Sequence, residues 1–256
     1  MSGRARLLAA VLACAAAGGA RAQTMLDQEQ RLIDIHSLLL DLPPLQAPGA
    51  LAKRTLDVSV EGVTIPHIDG TTGTKEQITA SDRTRLFPRP RVALGLPAPS
   101  GFRAFVGLSY IPPVPIRDVS TNAVAAEAGI ALVHGALRVG ARGHAVYATS
   151  KAPVTDPATR DELETWLYGA DLAVGWRFVA SRVALEPYAG GGVVALQGRF
   201  RVTSDGSVLT SDWTGPALSA GLRALVRSRW EIVTEVVAYP DRLVHTNVRL
   251  GWLFGM

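Results

Sequence analysis

Arginine and carboxylate side chains recur at alternate positions along this chain, and they are the residues with the clearest capacity for chemistry. The candidates are Arg89, Arg91, Arg103, Arg138, Arg142, Arg177, Arg223, Arg249, Glu127 and Asp171. Guanidinium and carboxylate groups form strong, often bidentate, hydrogen bonds. If they share one face, these groups predict a paired polar core. The alternative is the wall of a narrow passage in which the arginine excess favours anions.

Histidine close to aspartate is a second pattern with chemical potential. His67 is followed by Asp69, and His245 follows Asp241. Such pairs can move protons in hydrolysis. They are also common in polar loops, no histidine has metal-ligand spacing to another, and no Ser–His constellation stands out. A barrel-embedded hydrolase acting at the outer rim is therefore the alternative and not the main prediction, and no catalytic residue, metal or cofactor is assigned.

Strands are the elements that position the charged candidates, because apolar and polar residues alternate with a period of two. Ten strands are predicted, over residues 54–64, 87–96, 102–111, 123–133, 136–148, 164–178, 183–198, 213–226, 230–239 and 243–254. Eight or twelve strands remain open. Short connections alternate with long polar ones, which fall at 66–86, 112–122, 149–163 and 199–212.

Strands of about ten residues suit a tilted crossing of a bilayer. Past the N-terminus no apolar run is long enough for a helical span, and spanning strands must close to satisfy their backbone groups. We therefore predict an all-β fold, an antiparallel up-and-down transmembrane β-barrel of about ten strands. The charged candidates would face its lumen.

The N-terminus has the pattern of a secretory signal peptide over residues 1–22. Arg4 and Arg6 precede an apolar stretch, and Ala20-Arg21-Ala22 is a small-x-small cleavage site. The only cysteine, Cys14, lies inside this segment, so no disulfide is expected after cleavage. Cleavage would also remove three arginines and leave 23 basic against 22 acidic residues. That balance gives no reason to expect nucleic-acid binding.

Residues 23–53 are predicted to hold a short amphipathic helix at about 25–40 and a Pro/Gly linker, and residues 54–256 the barrel. The helix could cap the periplasmic rim or plug the lumen. The cap is the expected position.

Aromatic residues gather near the predicted strand ends, as in the interfacial girdles of membrane barrels. They are Phe87, Phe102, Tyr110, Tyr147, Trp166, Tyr168, Trp176, Phe178, Trp213, Trp230, Tyr239, Trp252 and Phe254.

Leu250, Trp252 and Phe254 alternate in the last strand. An aromatic-ended last strand resembles the signal that bacterial outer-membrane proteins present to the barrel assembly machinery. Over about residues 54–254 the pattern resembles bacterial outer-membrane β-barrel proteins in general. The stretches Val63-Thr64-Ile65-Pro66, Phe87-Pro88-Arg89-Pro90 and Tyr110-Ile111-Pro112-Pro113 resemble uncharacterised outer-membrane proteins of Gram-negative bacteria. The resemblance implies a cell outer-membrane location, with outer-membrane lipid and the assembly machinery as partners.

Function is predicted only coarsely, as a structural barrel or a narrow passive channel for small solutes. A soluble periplasmic lipocalin-like ligand-binding barrel is the third alternative.

Overall fold

A computed structural model describes residues 25–43, 46–64, 86–116, 119–156 and 158–255. The predicted signal peptide lies outside these residues, as do His67 and Asp69. Among the described helices, none is both long enough and apolar enough to cross a membrane.

The part of the chain that the structure describes contains one helix and twelve strands. They are α1 (Met25–Leu38), β1 (Thr55–Thr64), β2 (Leu86–Leu96), β3 (Phe102–Ile111), β4 (Pro115–Ile116), β5 (Val119–His134), β6 (Leu137–Ala152), β7 (Asp161–Trp176), β8 (Phe178–Ala180), β9 (Val183–Arg201), β10 (Val208–Val226), β11 (Trp230–Tyr239) and β12 (Leu243–Gly255).

Ten of these strands close into one antiparallel barrel. Each pairs with its neighbour along the chain, β12 pairs with β1, and β9 pairs with β10 without interruption from Val183↔Val226 to Arg201↔Val208. The two shortest strands are additions, β4 beside β5 and β8 beside β9. The predicted fold class, an antiparallel up-and-down barrel of ten strands, is confirmed.

The outer face of the barrel is apolar and the inner face is ionic. Leu108 and Leu172 are 66% and 65% exposed on the outside. Arg89 and Arg223, which occupy inward positions of β2 and β10, are buried. A soluble barrel would reverse this distribution, because water solvates charges and excludes apolar surface. The exterior is that of a barrel in lipid.

The two ends of the barrel differ in their connections. We call the end with the turns at 97–101, 135–136, 181–182 and 227–229 the short-turn end, and the opposite end the long-loop end. Several strands extend further toward the long-loop end than the sequence predicts, so the polar segments expected at 149–163 and 199–212 shrink to 153–160 and 202–207.

Asp161 holds these shortened connections together. Its carboxylate accepts hydrogen bonds from the backbone N–H groups of Thr155 and Thr203, at 2.7 and 2.8 Å. The sequence prediction ended the strands too early here because polar residues such as Glu162, Arg199 and Arg201 are frequent at their outer ends and were assigned to loops.

The N-terminal segment lies inside the barrel and not across its rim, so the expected cap is wrong. We call residues 29–43 and 46–53 the luminal segment. Helix α1 packs against β7, β9 and β10, and Leu38, Leu42 and Leu51 are fully buried. A cap would have left one face of the helix in water. This helix instead contributes to an apolar cluster with inward residues of the strands.

Two aromatic residues assigned to the girdle face the lumen instead. Tyr239 is buried, and Trp213 packs against it edge to face with ring centroids 6.4 Å apart. Both lie on the inward side of their strands, beside the luminal segment. By contrast Trp166 and Trp230 are exposed on the outer surface. The side chain of Phe87 lies outside the described residues.

Candidate functional site

A continuous network of ion pairs crosses one side of the lumen. Glu61 of β1 accepts hydrogen bonds from Arg89 Nε at 2.7 Å and from Arg91 Nη1 at 2.8 Å. Arg91 also pairs with Glu127 of β5, which accepts from Arg142 Nη1 at 3.0 Å. This part of the network joins four strands, and Glu61 and Glu127 each have two guanidinium partners.

Arg142 ends this network at Asp171 of β7. Its Nε and Nη2 donate to one carboxylate oxygen at 2.9 and 2.7 Å. Two further Arg142 hydrogen bonds reach the carbonyl oxygens of Leu42 and Pro43, at 2.8 and 3.1 Å. One side chain therefore joins the barrel wall to the luminal segment.

Glycine at position 107 lets Arg91 and Glu127 meet, although β3 separates their strands. A Cβ at Gly107 would lie 2.5 Å from Glu127 Oε1. With hydrogen in its place, the carboxylate crosses over β3. The alternation of small and charged residues on the inner face has this steric function.

Asp41 is the main polar anchor of the luminal segment. His144 Nε2 lies 2.8 Å from its Oδ1, and the Tyr239 hydroxyl donates to its Oδ2 at 2.6 Å. The backbone carbonyl of Asp41 accepts from Arg89 Nη1 at 2.8 Å. We call Asp41, His144 and Tyr239 the Asp41 latch. It ties the segment to strands on opposite sides of the barrel, β6 and β11.

Further polar contacts follow the luminal segment through the barrel. Toward the long-loop end, Asp34 accepts from Ser211 Oγ at 2.6 Å and from Arg242 Nε at 2.9 Å. Toward the short-turn end, Arg138 Nη1 donates to the carbonyl of Gly49 at 3.3 Å. The segment therefore runs the length of the lumen and leaves at the short-turn end, where β1 begins at Thr55.

A second ion-pair network lies nearer the short-turn end. Arg249 pairs with Asp57 at 3.5 Å and also with Glu231. Glu231 accepts in turn from Arg223 Nε at 2.5 Å, and Arg223 Nη1 donates to Glu186 at 2.6 Å. All five side chains are fully buried. Charges at such positions carry a large desolvation cost, which close pairing must offset.

The structure places nine of the ten charged candidates inside the barrel, and Arg177 lies just beyond the end of β7, at the short-turn end. Seven are buried, and Arg103, Arg177 and Asp171 are half-buried. The sequence analysis did not single out Glu231, although the period-two alternation of β11 places it on the inward face and could have identified it. It also missed Asp41, for which no sequence signal existed.

The histidine patterns do not form a rim site within the described residues. His245 is buried in the lumen, its Nδ1 lies 3.1 Å from Asn247 Oδ1, and its ring stacks on Tyr239. Asp241 is exposed in the turn before β12. Among the residues that the structure describes, no three His, Cys, Asp or Glu side chains lie close enough to hold a metal ion.

A small cavity adjoins the Asp41 latch. Its volume is about 20 Å³, and its lining includes Asp41, Arg142, His144 and Tyr239. This volume holds about one water molecule. The luminal segment and the ionic side chains surround this cavity.

Comparisons with known proteins found similar structures but no sequence relative. No protein-family model matches the chain, and no curated protein matches it. Similar solved structures include the translocator domain of the autotransporter NalP from Neisseria meningitidis, with 12% identity, TM-score 0.44, and coverage of 90% of this chain and 95% of that one.

The β domain of the Bordetella autotransporter BrkA has 13% identity and TM-score 0.43, with 79% and 98% covered. The N-terminal β-barrel domain of Pseudomonas aeruginosa OprF has 10% identity and TM-score 0.32, with 80% and 100% covered. These likenesses concern the barrel fold alone.

Proposed function

We propose that this protein is an outer-membrane barrel that its own N-terminal segment keeps closed, and that its resting role is structural. The apolar exterior supports residence in a membrane, and the closed strand circuit fits the outer membrane, where spanning barrels are found. In this proposal the luminal segment is a plug, and the wild-type barrel does not conduct.

The observation that carries the proposal is the path of the luminal segment from one end of the lumen to the other. It is held at Asp34 near the long-loop end, at Asp41 midway and at Gly49 near the short-turn end. Between these points the side chains of the two ion-pair networks line the inner face of the barrel wall. With the segment inside it, a barrel of this size has little interior space left beyond its own side chains.

Planar-bilayer recording of refolded protein tests the proposal. The wild type is expected to give no conductance steps. Asp34→Ala/Asp41→Ala, which removes two anchors of the segment, is expected to give steps. Asp205→Ala/Asp212→Ala is the matched control, because it removes two exposed aspartates of the long-loop end and should leave the barrel closed. Steady conductance in the wild type would overturn the proposal.

A disulfide provides a reversible form of the same test. Ser37 Oγ and Thr165 Oγ1 lie 2.9 Å apart, one on the helix and one on β7. Ser37→Cys/Thr165→Cys introduces two thiols into a chain whose one natural cysteine is Cys14. In the Asp34→Ala/Asp41→Ala background, oxidation is expected to suppress the steps and reduction to restore them. Equal conductance in both redox states would show that another part of the protein controls closure.

A gated narrow channel is the second candidate function. It is favoured by the polar character of the Asp41 latch, whose hydrogen bonds water can replace if the segment shifts. Rare openings in the wild type that are absent from oxidised Ser37→Cys/Thr165→Cys would support this candidate over a permanently closed barrel. The arginine excess of the lumen predicts that such openings would favour anions.

A further inference from the structure

The exposed charged side chains described at the short-turn end are all positive. Within the described parts of the chain, the exposed charged side chains there are Lys53, Arg54, Arg182, Arg227 and Arg229. The acidic side chains at this end, Asp57, Glu186 and Glu231, are fully buried. The long-loop end mixes both signs, with exposed Asp205 and Asp241 beside exposed Arg199 and Arg201.

A groove opens between two turns of this basic end. Its volume is about 520 Å³, within the range of small-molecule sites. Arg177, Arg182 and Arg227 line it together with Ser181 and Ser228, and Val179, Val183 and Leu225 form its apolar part. The backbone N–H of Arg227 donates to the carbonyl of Arg182 at 2.7 Å and holds the two turns side by side.

The buried carboxylate of Glu186, which lies next to Arg177 of this groove, is shared among several arginines. Glu186 Oε1 lies 3.4 Å from Arg177 Nε and 3.8 Å from Arg138 Nε, and none of these three atoms makes a hydrogen bond. Its other oxygen is already bound to Arg223. One carboxylate is thus shared among three guanidinium groups, and donor capacity remains at the mouth of the barrel.

We propose that this groove is a binding site for small solutes that carry phosphate groups. Arginine pairs with phosphate through two parallel N–H···O bonds, and serine hydroxyls can donate to the remaining oxygens. In the usual orientation of bacterial barrels the short turns face the periplasm, so the ligand is a periplasmic solute. The site lies at the mouth of the lumen and does not depend on conduction.

Isothermal titration of the refolded protein with inorganic pyrophosphate tests the proposal. We expect saturable binding to the wild type and a loss of affinity of at least roughly tenfold in Arg182→Gln/Arg227→Gln, because each substitution removes a charged donor. Arg199→Gln/Arg201→Gln, which removes two exposed arginines from the long-loop end, is the matched control and should bind like the wild type.

Three results would overturn the proposal. They are absence of saturable binding to the wild type, an equal loss in both double variants, and citrate binding as tightly as pyrophosphate. The second would indicate a general effect of charge, and the third would indicate a carboxylate site. The wild-type titrations decide the first and third even if a variant fails to fold. Binding is measured without flux, so a negative result leaves the closed-barrel proposal standing.

Discussion

The carboxylate of Asp41 accepts a hydrogen bond of 2.6 Å from the hydroxyl of Tyr239, although 198 positions of the chain separate the two residues. Asp41 belongs to the luminal segment and Tyr239 ends β11. The contact exists only when the barrel is closed around the segment. It therefore links closure of the barrel to the position of the plug.

Loss of this hydrogen bond is expected to destabilise the folded protein. Tyr239→Phe leaves a buried carboxylate oxygen without its donor and should lower the free energy of unfolding by about 1–3 kcal/mol. Urea unfolding followed by tryptophan fluorescence measures the change. Tyr168→Phe is the control, because Tyr168 is exposed on the outer face. Equal effects of the two substitutions would contradict a structural role for the latch.

A methyl group at position 169 should disturb the latch through His144. A Cβ at Gly169 would overlap the His144 imidazole, whereas a Cβ at Gly143 meets only a backbone oxygen at 3.8 Å. We expect Gly169→Ala to lower the free energy of unfolding by about 1–3 kcal/mol. Gly143→Ala should have little effect. The urea midpoints of the two variants give the comparison, and a ranking in the opposite order would refute the predicted packing.

The path of the luminal segment predicts from which side of the membrane a reagent can reach its helix. Gln30 donates to the carbonyl of Thr210 near the long-loop end. In intact cells a membrane-impermeant maleimide should therefore label Gln30→Cys together with Asp205→Cys, which marks the long-loop end. Arg229→Cys, at the short-turn end, should react only after permeabilisation. Labelling of Gln30→Cys together with Arg229→Cys would mean that the segment enters from the other side.

A substitution in the last strand is expected to affect assembly into the outer membrane and not the stability of the folded barrel. If Leu250, Trp252 and Phe254 present the signal for the assembly machinery, Phe254→Ser should reduce the amount of protein in the outer membrane while refolding into lipid vesicles stays normal. Phe102→Ser is the matched control, since Phe102 and Phe254 are exposed to 44% and 46%. Quantitative blotting of membrane fractions measures the difference. An equal loss in both variants would assign the effect to lipid contact.

Alternation predicted the barrel because it is a local property. Successive strand side chains point to opposite faces, so the spacing of Leu108 or Arg223 within its own strand is enough to separate lipid from lumen. Strand ends were less accurate near Asp161, where frequent polar residues were read as loops although the strands continue.

The sequence by itself determined the class of fold, the two faces of each strand and the charged character of the interior. The tertiary structure decided that the N-terminal helix is a plug and not a cap, that Tyr239 faces Asp41, and that Glu186 is shared among three arginines. These facts depend on contacts between distant parts of the chain. A period of two specifies the side to which a residue points, but only closure of the barrel determines which residues meet there.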